Sequence, residues 1–113
     1  MVIVESRVGN DDKGRATDFY LKVTGHAGSA EKGRDIVCAS ASMLMYTLAQ
    51  TAKVLEQKGR LKEPALIRTE SGDAEIAFTA KAKHSAEAAH CFFTVMVGYQ
   101  LLCHNYPLYA RFR

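Results

Sequence analysis

The sequence predicts an α+β domain, a four-stranded, mostly antiparallel sheet with two helices in the order β-β-α-β-β-α. Three observations carry this. Short stretches are β-branched or alternate between apolar and polar residues. Two long stretches repeat apolar residues at spacings of three and four. Glycine and proline clusters punctuate the chain between them. The 113 residues fit one domain, 1–113, large enough to bury a core without staples.

The elements follow in order. Val2 to Ser6 is short and β-branched, a strand. Gly9-Asn10-Asp11-Asp12-Lys13-Gly14 is a turn cluster. From Asp18 to Thr24, Phe19, Leu21 and Val23 alternate with polar neighbours, so this strand is half-buried and pairs with the first as a hairpin. Residues 25 to 34 are polar and spaced by Gly25, Gly28 and Gly33. From Asp35 to about Lys58 the residues Val37, Ala41, Leu44, Leu48, Ala52 and Leu55 form one helical face, with Asp35 as N-cap and Gly59 as stop. Ala65 to Thr69 and Glu75 to Ala80 make a second hairpin through Glu70-Ser71-Gly72-Asp73. Ser85 caps a second helix running to about His104, with Phe92 and Phe93 expected in the core. That helix is apolar around most of its circumference, so it is expected to cover the sheet and also to meet a partner subunit. Pro107 ends it.

Composition narrows the function classes. Hydrophobic residues at 48% and charged residues at 24% exclude a disordered chain. The net charge of +3 is scattered, with one small cluster at Arg111 and Arg113. A dedicated nucleic-acid binder concentrates its charge, so no direct nucleic-acid partner is expected. Three cysteines, Cys38, Cys91 and Cys103, with no Cys-x-x-Cys pair, indicate thiols in a reducing compartment, and the cytoplasm is the expected location. The apolar start MVIVESRVG is too short for an export signal. The longest apolar stretch, Ala86 to Cys103, contains Glu87, His90 and Gln100, so no membrane span is expected.

The stretch TGHAGSAEKGRDIVCASAS, residues 24–42, concentrates the chemistry. With Asp35 as N-cap, Cys38 occupies the third helical position. The N–H groups and dipole of a helix start favour a thiolate there, and the thiolate is the nucleophile. His26 ends the preceding strand. A glycine-spaced loop that folds back would bring its imidazole to the sulfur as a Cys–His pair. Asp35, Cys38 and Ser42 share one helical face. Asp35 either orients the imidazole or only caps the helix. Ser42 either hydrogen-bonds near the sulfur or bonds back to its own helix. The pair also has a plainer reading, a small buried hydrophobe and a loop histidine. His90-Cys91 and Cys103-His104 make no metal site, because twelve helical residues separate the cysteines by roughly 18 Å. Core packing is the better reading for Cys91 and Cys103.

Gly25-His26-Ala27-Gly28, then Gly33-Arg34-Asp35-Ile36-Val37-Cys38-Ala39, then Ser42, resembles the signature of the Prp family, the ribosomal-processing cysteine proteases of Firmicutes and related bacteria. The length and element order are similar over nearly the whole chain. The resemblance implies removal of an N-terminal extension from ribosomal large-subunit protein twenty-seven, by cleavage after a pair of phenylalanines. It implies Cys38 as nucleophile and His26 as general base, with Gly25, Asp35 and Ser42 as supporting residues. It implies a homodimer, no cofactor and no metal. It also implies a segment between histidine and cysteine that rearranges around substrate, with Gly28 and Gly33 giving it freedom. The run Ala39-Ser40-Ala41-Ser42 departs from the alanine, valine and serine often found after the cysteine, which bears on local packing and substrate preference. Two other classes stay open. A non-enzymatic dimer associated with ribosomes or RNA would leave Cys38 replaceable. A redox sensor would need a resolving cysteine.

Overall fold

The structure, a computed structural model, describes residues 1–26 and 35–113. The elements are β1 (Val2–Asn10), β2 (Ala16–Thr24), α1 (Ile36–Gln57), β3 (Leu66–Glu70), β4 (Asp73–Thr79), a short 3₁₀ turn (Ala82–His84), α2 (Ser85–Asn105) and β5 (Ala110–Phe112). They build one five-stranded sheet in the order β3-β4-β2-β1-β5. This corrects the expected four strands and the expected order, which ended at the second helix. The added strand is three residues long, too short to show a period of two. Its conformation comes from its neighbour. β5 runs parallel to β1, and the flanking bonds are Val2 N–H to the Tyr109 carbonyl (2.8 Å) and Arg113 N–H to the Val4 carbonyl (2.9 Å). The other pairings are antiparallel, as expected.

The first hairpin is longer than the sequence suggested. β1 continues to Asn10, and the turn is tied by the Asp11 carboxylate, which accepts from the N–H groups of Lys13 (3.0 Å) and Arg15 (2.8 Å). One side chain thus fixes the turn locally.

Both helices pack on one face of the sheet. β1 offers Val2 and Val4, β2 offers Phe19, Leu21 and Val23, and β4 offers Ala74, Ile76 and Phe78. The period-two reading of β2 therefore holds residue by residue. On α1 the buried stripe is Val37, Ala41, Met45, Leu48, Ala49, Ala52 and Leu55, while Leu44 packs only at its margin. Phe92 of α2 packs on Phe19 with ring centroids 5.2 Å apart and the rings tilted by 42°. Phe93 is a correction. It points outward and is 46% exposed, because adjacent helical residues lie about 100° apart and cannot both face the sheet. Ser85 is another. It is the first residue of α2, not its cap, and its hydroxyl donates to the Ala16 carbonyl (2.6 Å), pinning the helix start to β2.

The opposite sheet face carries charges. Glu5, Lys22, Glu75 and Arg68 stand opposite one another across β1, β2, β4 and β3. Alternating signs at directly opposed positions suit a solvated antiparallel face. Among the described residues, no helix is long and apolar enough to cross a membrane.

Register sets up the functional end of the molecule. Thr24, the last residue of β2, pairs with Asp73, the first of β4. Gly25 and His26 therefore lie alongside the β3–β4 turn.

Candidate active site

The β2–β4 ladder continues one step past the strand. Gly25 N–H donates to the Gly72 carbonyl (2.9 Å), so residues 25–26 lie against the β3–β4 turn. Gly25 has φ +87°, and a Cβ there would fall on the carbonyl oxygen of Met1. Only glycine meets both demands. The His26 carbonyl accepts from the Met1 amino group, and its exposed imidazole lies over Gly72.

Asp35 is the N-cap of α1, as its position predicted. Its Oδ1 accepts from the N–H groups of Val37 (3.0 Å) and Cys38 (3.1 Å), and the residue is buried. Cys38 therefore stands at the third helical position, half-buried against the core. One expectation needs adjustment. The Val37 and Cys38 N–H groups are taken by the Asp35 carboxylate, and the Ala39 N–H by the Asp35 carbonyl (3.0 Å). In this arrangement these three groups are not open to an incoming anion.

His26 and Cys38 line the same cavity, about 640 Å³ in volume. Gly25, Asp35 and Ser42 line it too, so every predicted site residue that is described borders one space. Gly28 and Gly33 lie outside the described residues. The remaining wall is apolar at Val2, Val23, Met45 and Ala74, with Tyr46 beside them and the edge of the second hairpin, Thr69 to Asp73, opposite. The sequence signalled that hairpin edge only as a turn. Nothing local in Ser71-Gly72 announces that it borders a histidine so distant in the chain.

The other cysteines stand apart from the cavity lining. Cys103 packs against the core, and burial pushes its thiol up from the ordinary value. No disulfide joins Cys38, Cys91 and Cys103. Among the described residues, no group of three or more histidine, cysteine or carboxylate side chains is arranged to hold a metal ion.

The sequence model of the family described as "Cysteine protease Prp" matches residues 3–111. The chain belongs to the Prp cysteine protease family. Solved structures agree. An essential ribosomal processing protease Prp from S. aureus, in complex with a covalently linked product peptide, is 26% identical with a TM-score of 0.68. The similarity covers 100% of this chain and 98% of that one. The same S. aureus Prp in complex with a substrate peptide gives 25% and 0.63, over 100% and 98%. A protein from Streptococcus mutans, 24% identical with a TM-score of 0.63 over 100% and 92%, shares the fold. Compared with curated proteins, the chain matches none. As a Prp family member the chain is a cysteine protease, a hydrolase.

Proposed function

We propose that this enzyme is a cytoplasmic endopeptidase that removes the N-terminal extension of ribosomal large-subunit protein twenty-seven, cutting after aromatic residues, as ribosomes mature. The observation that carries the reading is the meeting of His26 and Cys38, the two chemically competent residues of the family signature, on one cavity beside a helix start. The S. aureus Prp structures with substrate and product peptides support a peptide substrate. The cavity volume suits a few side chains of a peptide, and its apolar wall suits aromatic ones.

In this reading His26 takes the proton of Cys38, and Sγ attacks the carbonyl carbon of the aromatic residue. The C–N bond breaks as the imidazolium returns the proton to the leaving amine, leaving a thioester on Cys38. Water then attacks the thioester with His26 again as base, releasing the carboxylic acid and the thiol. Asp35 serves by capping α1 and holding Cys38 in place, with Gly25 and Ser42 as supporting wall. The chemistry needs no cofactor. Gly28 and Gly33 are the proposed hinges of the segment that closes on substrate.

The enzyme is further proposed to act as a homodimer and to need neither membrane nor direct nucleic-acid contact. Support for the dimer is the stripe Phe93, Val97 and Leu101, exposed at four-residue spacing on α2.

The test is cleavage of a synthetic peptide carrying the precursor's leader. Intact protein should cut after the aromatic pair, and Cys38→Ala and His26→Ala should each lose roughly a thousandfold or more in rate. An uncut leader, or equal cutting by Cys38→Ala, would overturn the reading and favour a binding role.

A further inference from the structure

The imidazole of His26 rests on a place where the β3–β4 turn has no side chain. Gly72 has φ +74°, and a Cβ built on it would stand 2.6 Å from Nε2 and 3.0 Å from Cε1 of His26. Real Cβ atoms do not approach that closely, so any side chain at 72 displaces the ring. The turn is itself held to the histidine's strand, since the Gly72 carbonyl accepts from Gly25 N–H. The ring cannot simply be carried along with a shifted turn without breaking that bond.

The turn alone does not explain glycine here. β3 ends at Glu70 and β4 starts at Asp73, so Ser71-Gly72 is a two-residue connection. Ser71 has negative φ and Gly72 positive φ, the pattern of a type II turn. Asparagine also satisfies that second position. What asparagine cannot satisfy is the space occupied by the ring.

The geometry points to Gly72 as a positioning residue for the His26 imidazole. The missing side chain forms the seat from which the ring faces the cavity it shares with Cys38. The role rests on the reading of His26 as general base. Displacing a base by about 1 Å can cost roughly 100-fold in rate.

Gly14 supplies the control. It lies in the other hairpin turn, at the far end of β2, with a similar φ of +79° and nothing within 4 Å of a built Cβ. Gly72→Asn and Gly14→Asn therefore face the same backbone demand, and only the first meets the ring. Three readouts separate the roles: leader-peptide kinetics, the ring resonances of histidine-labelled protein, and the melting temperature. Gly72→Asn should keep a melting temperature close to that of Gly14→Asn. It should lose roughly 100-fold in kcat and move the His26 ring signals. Gly14→Asn should match the unmodified enzyme in kcat and ring signals. Gly72→Ala repeats the comparison with the smallest Cβ, should the amide side chain disturb the turn. If both Gly72 variants cut at the Gly14→Asn rate with unmoved ring signals, the seat is overturned while the protease reading stands. If His26→Ala cuts as fast as the unmodified enzyme, the reading of His26 as general base fails and the positioning role goes with it, while the protease reading stands or falls with Cys38→Ala.

Discussion

Asp35 shows how much of the site a single residue discloses. An aspartate before an apolar-periodic run is a local signal, and the cap follows from backbone geometry within three residues. The structure finds its carboxylate on the Val37 and Cys38 N–H groups, which fixes Cys38 at the third position of the helix. Asp35→Ala should lower stability by about 1 kcal/mol, with losses between about 0.5 and 2 typical for a removed cap. Asp35→Asn, which can still accept those bonds, should lose much less. Urea denaturation monitored by circular dichroism measures both. Equal losses in the two variants would mean that the negative charge, rather than the cap, holds the helix start. His26 was legible only as a candidate. Its neighbour Gly72 was not, because the register that joins them depends on strand pairing across more than forty residues.

At the scale of elements, the strands with a clear alternation and the helix with one apolar stripe were readable, and β5 was not. A three-residue strand has no period. It exists because β1 presents an open edge beside it. The structure adds two ties that tertiary contact alone creates. The first binds the helices. Tyr99 of α2 is fully buried, and its hydroxyl donates to the Ala41 carbonyl of α1 (2.8 Å). Tyr99→Phe should cost about 1 kcal/mol at neutral pH, since that carbonyl also belongs to the helical ladder of α1. Burial, reinforced by Cys103, pushes the phenol well above its ordinary 10.0. The folded state thus keeps the proton while the unfolded state loses it above pH 10. This contribution is complete below that pH and declines as pH rises past it. Alkaline unfolding should therefore be less steep in Tyr99→Phe. The second tie is in the β3–β4 hairpin. Arg68 meets Asp73 (2.9 Å) and Glu75 (3.5 Å), and Tyr20 donates to Glu75. The hydrogen bond from Arg68 holds Asp73 below its ordinary 3.8, and those from Tyr20 and Arg68 hold Glu75 below its ordinary 4.5. Carboxylates lowered in the folded state stabilise it above those ordinary values and cease to do so as pH falls through the folded ones. Arg68→Met should be modestly less stable at pH 7, since the pairs are partly exposed, and the gap should narrow as pH falls below the ordinary carboxylate values and close once both carboxylates are protonated in the folded state. Thermal melts of both proteins across that range measure it. A gap that stays constant would assign the effect of Arg68 to packing.

For the whole molecule, the telling feature is that α2 is too apolar for a helix with one buried side. Its inward residues Phe92, Val95, Met96, Tyr99 and Leu102 cover the sheet and α1. Its outward stripe of Phe93, Val97 and Leu101 is 46%, 52% and 57% exposed, and Met43 and Tyr46 on α1 are exposed as well. The sequence made this visible as an excess of apolar residues around the helix. It could not say which of two adjacent phenylalanines faced the sheet, because that depends on how the helix is rotated about its axis. A second copy covering the stripe removes apolar surface from water on both protomers. Burying a side chain such as valine or leucine contributes about 1.5–3 kcal/mol. Replacing two such residues with glutamate also sets like charges facing each other across a twofold axis. Val97→Glu combined with Leu101→Glu should therefore weaken association by roughly 100-fold or more. Sedimentation velocity at micromolar concentration should show a dimer for the unmodified chain and a monomer for the double variant. The helical circular dichroism should be the same in both, since neither side chain belongs to the core. A monomer at every concentration of the unmodified chain would remove the dimer from the proposal, and the protease chemistry would then rest on each protomer's own cavity, where His26, Cys38 and the Gly72 turn all come from one chain.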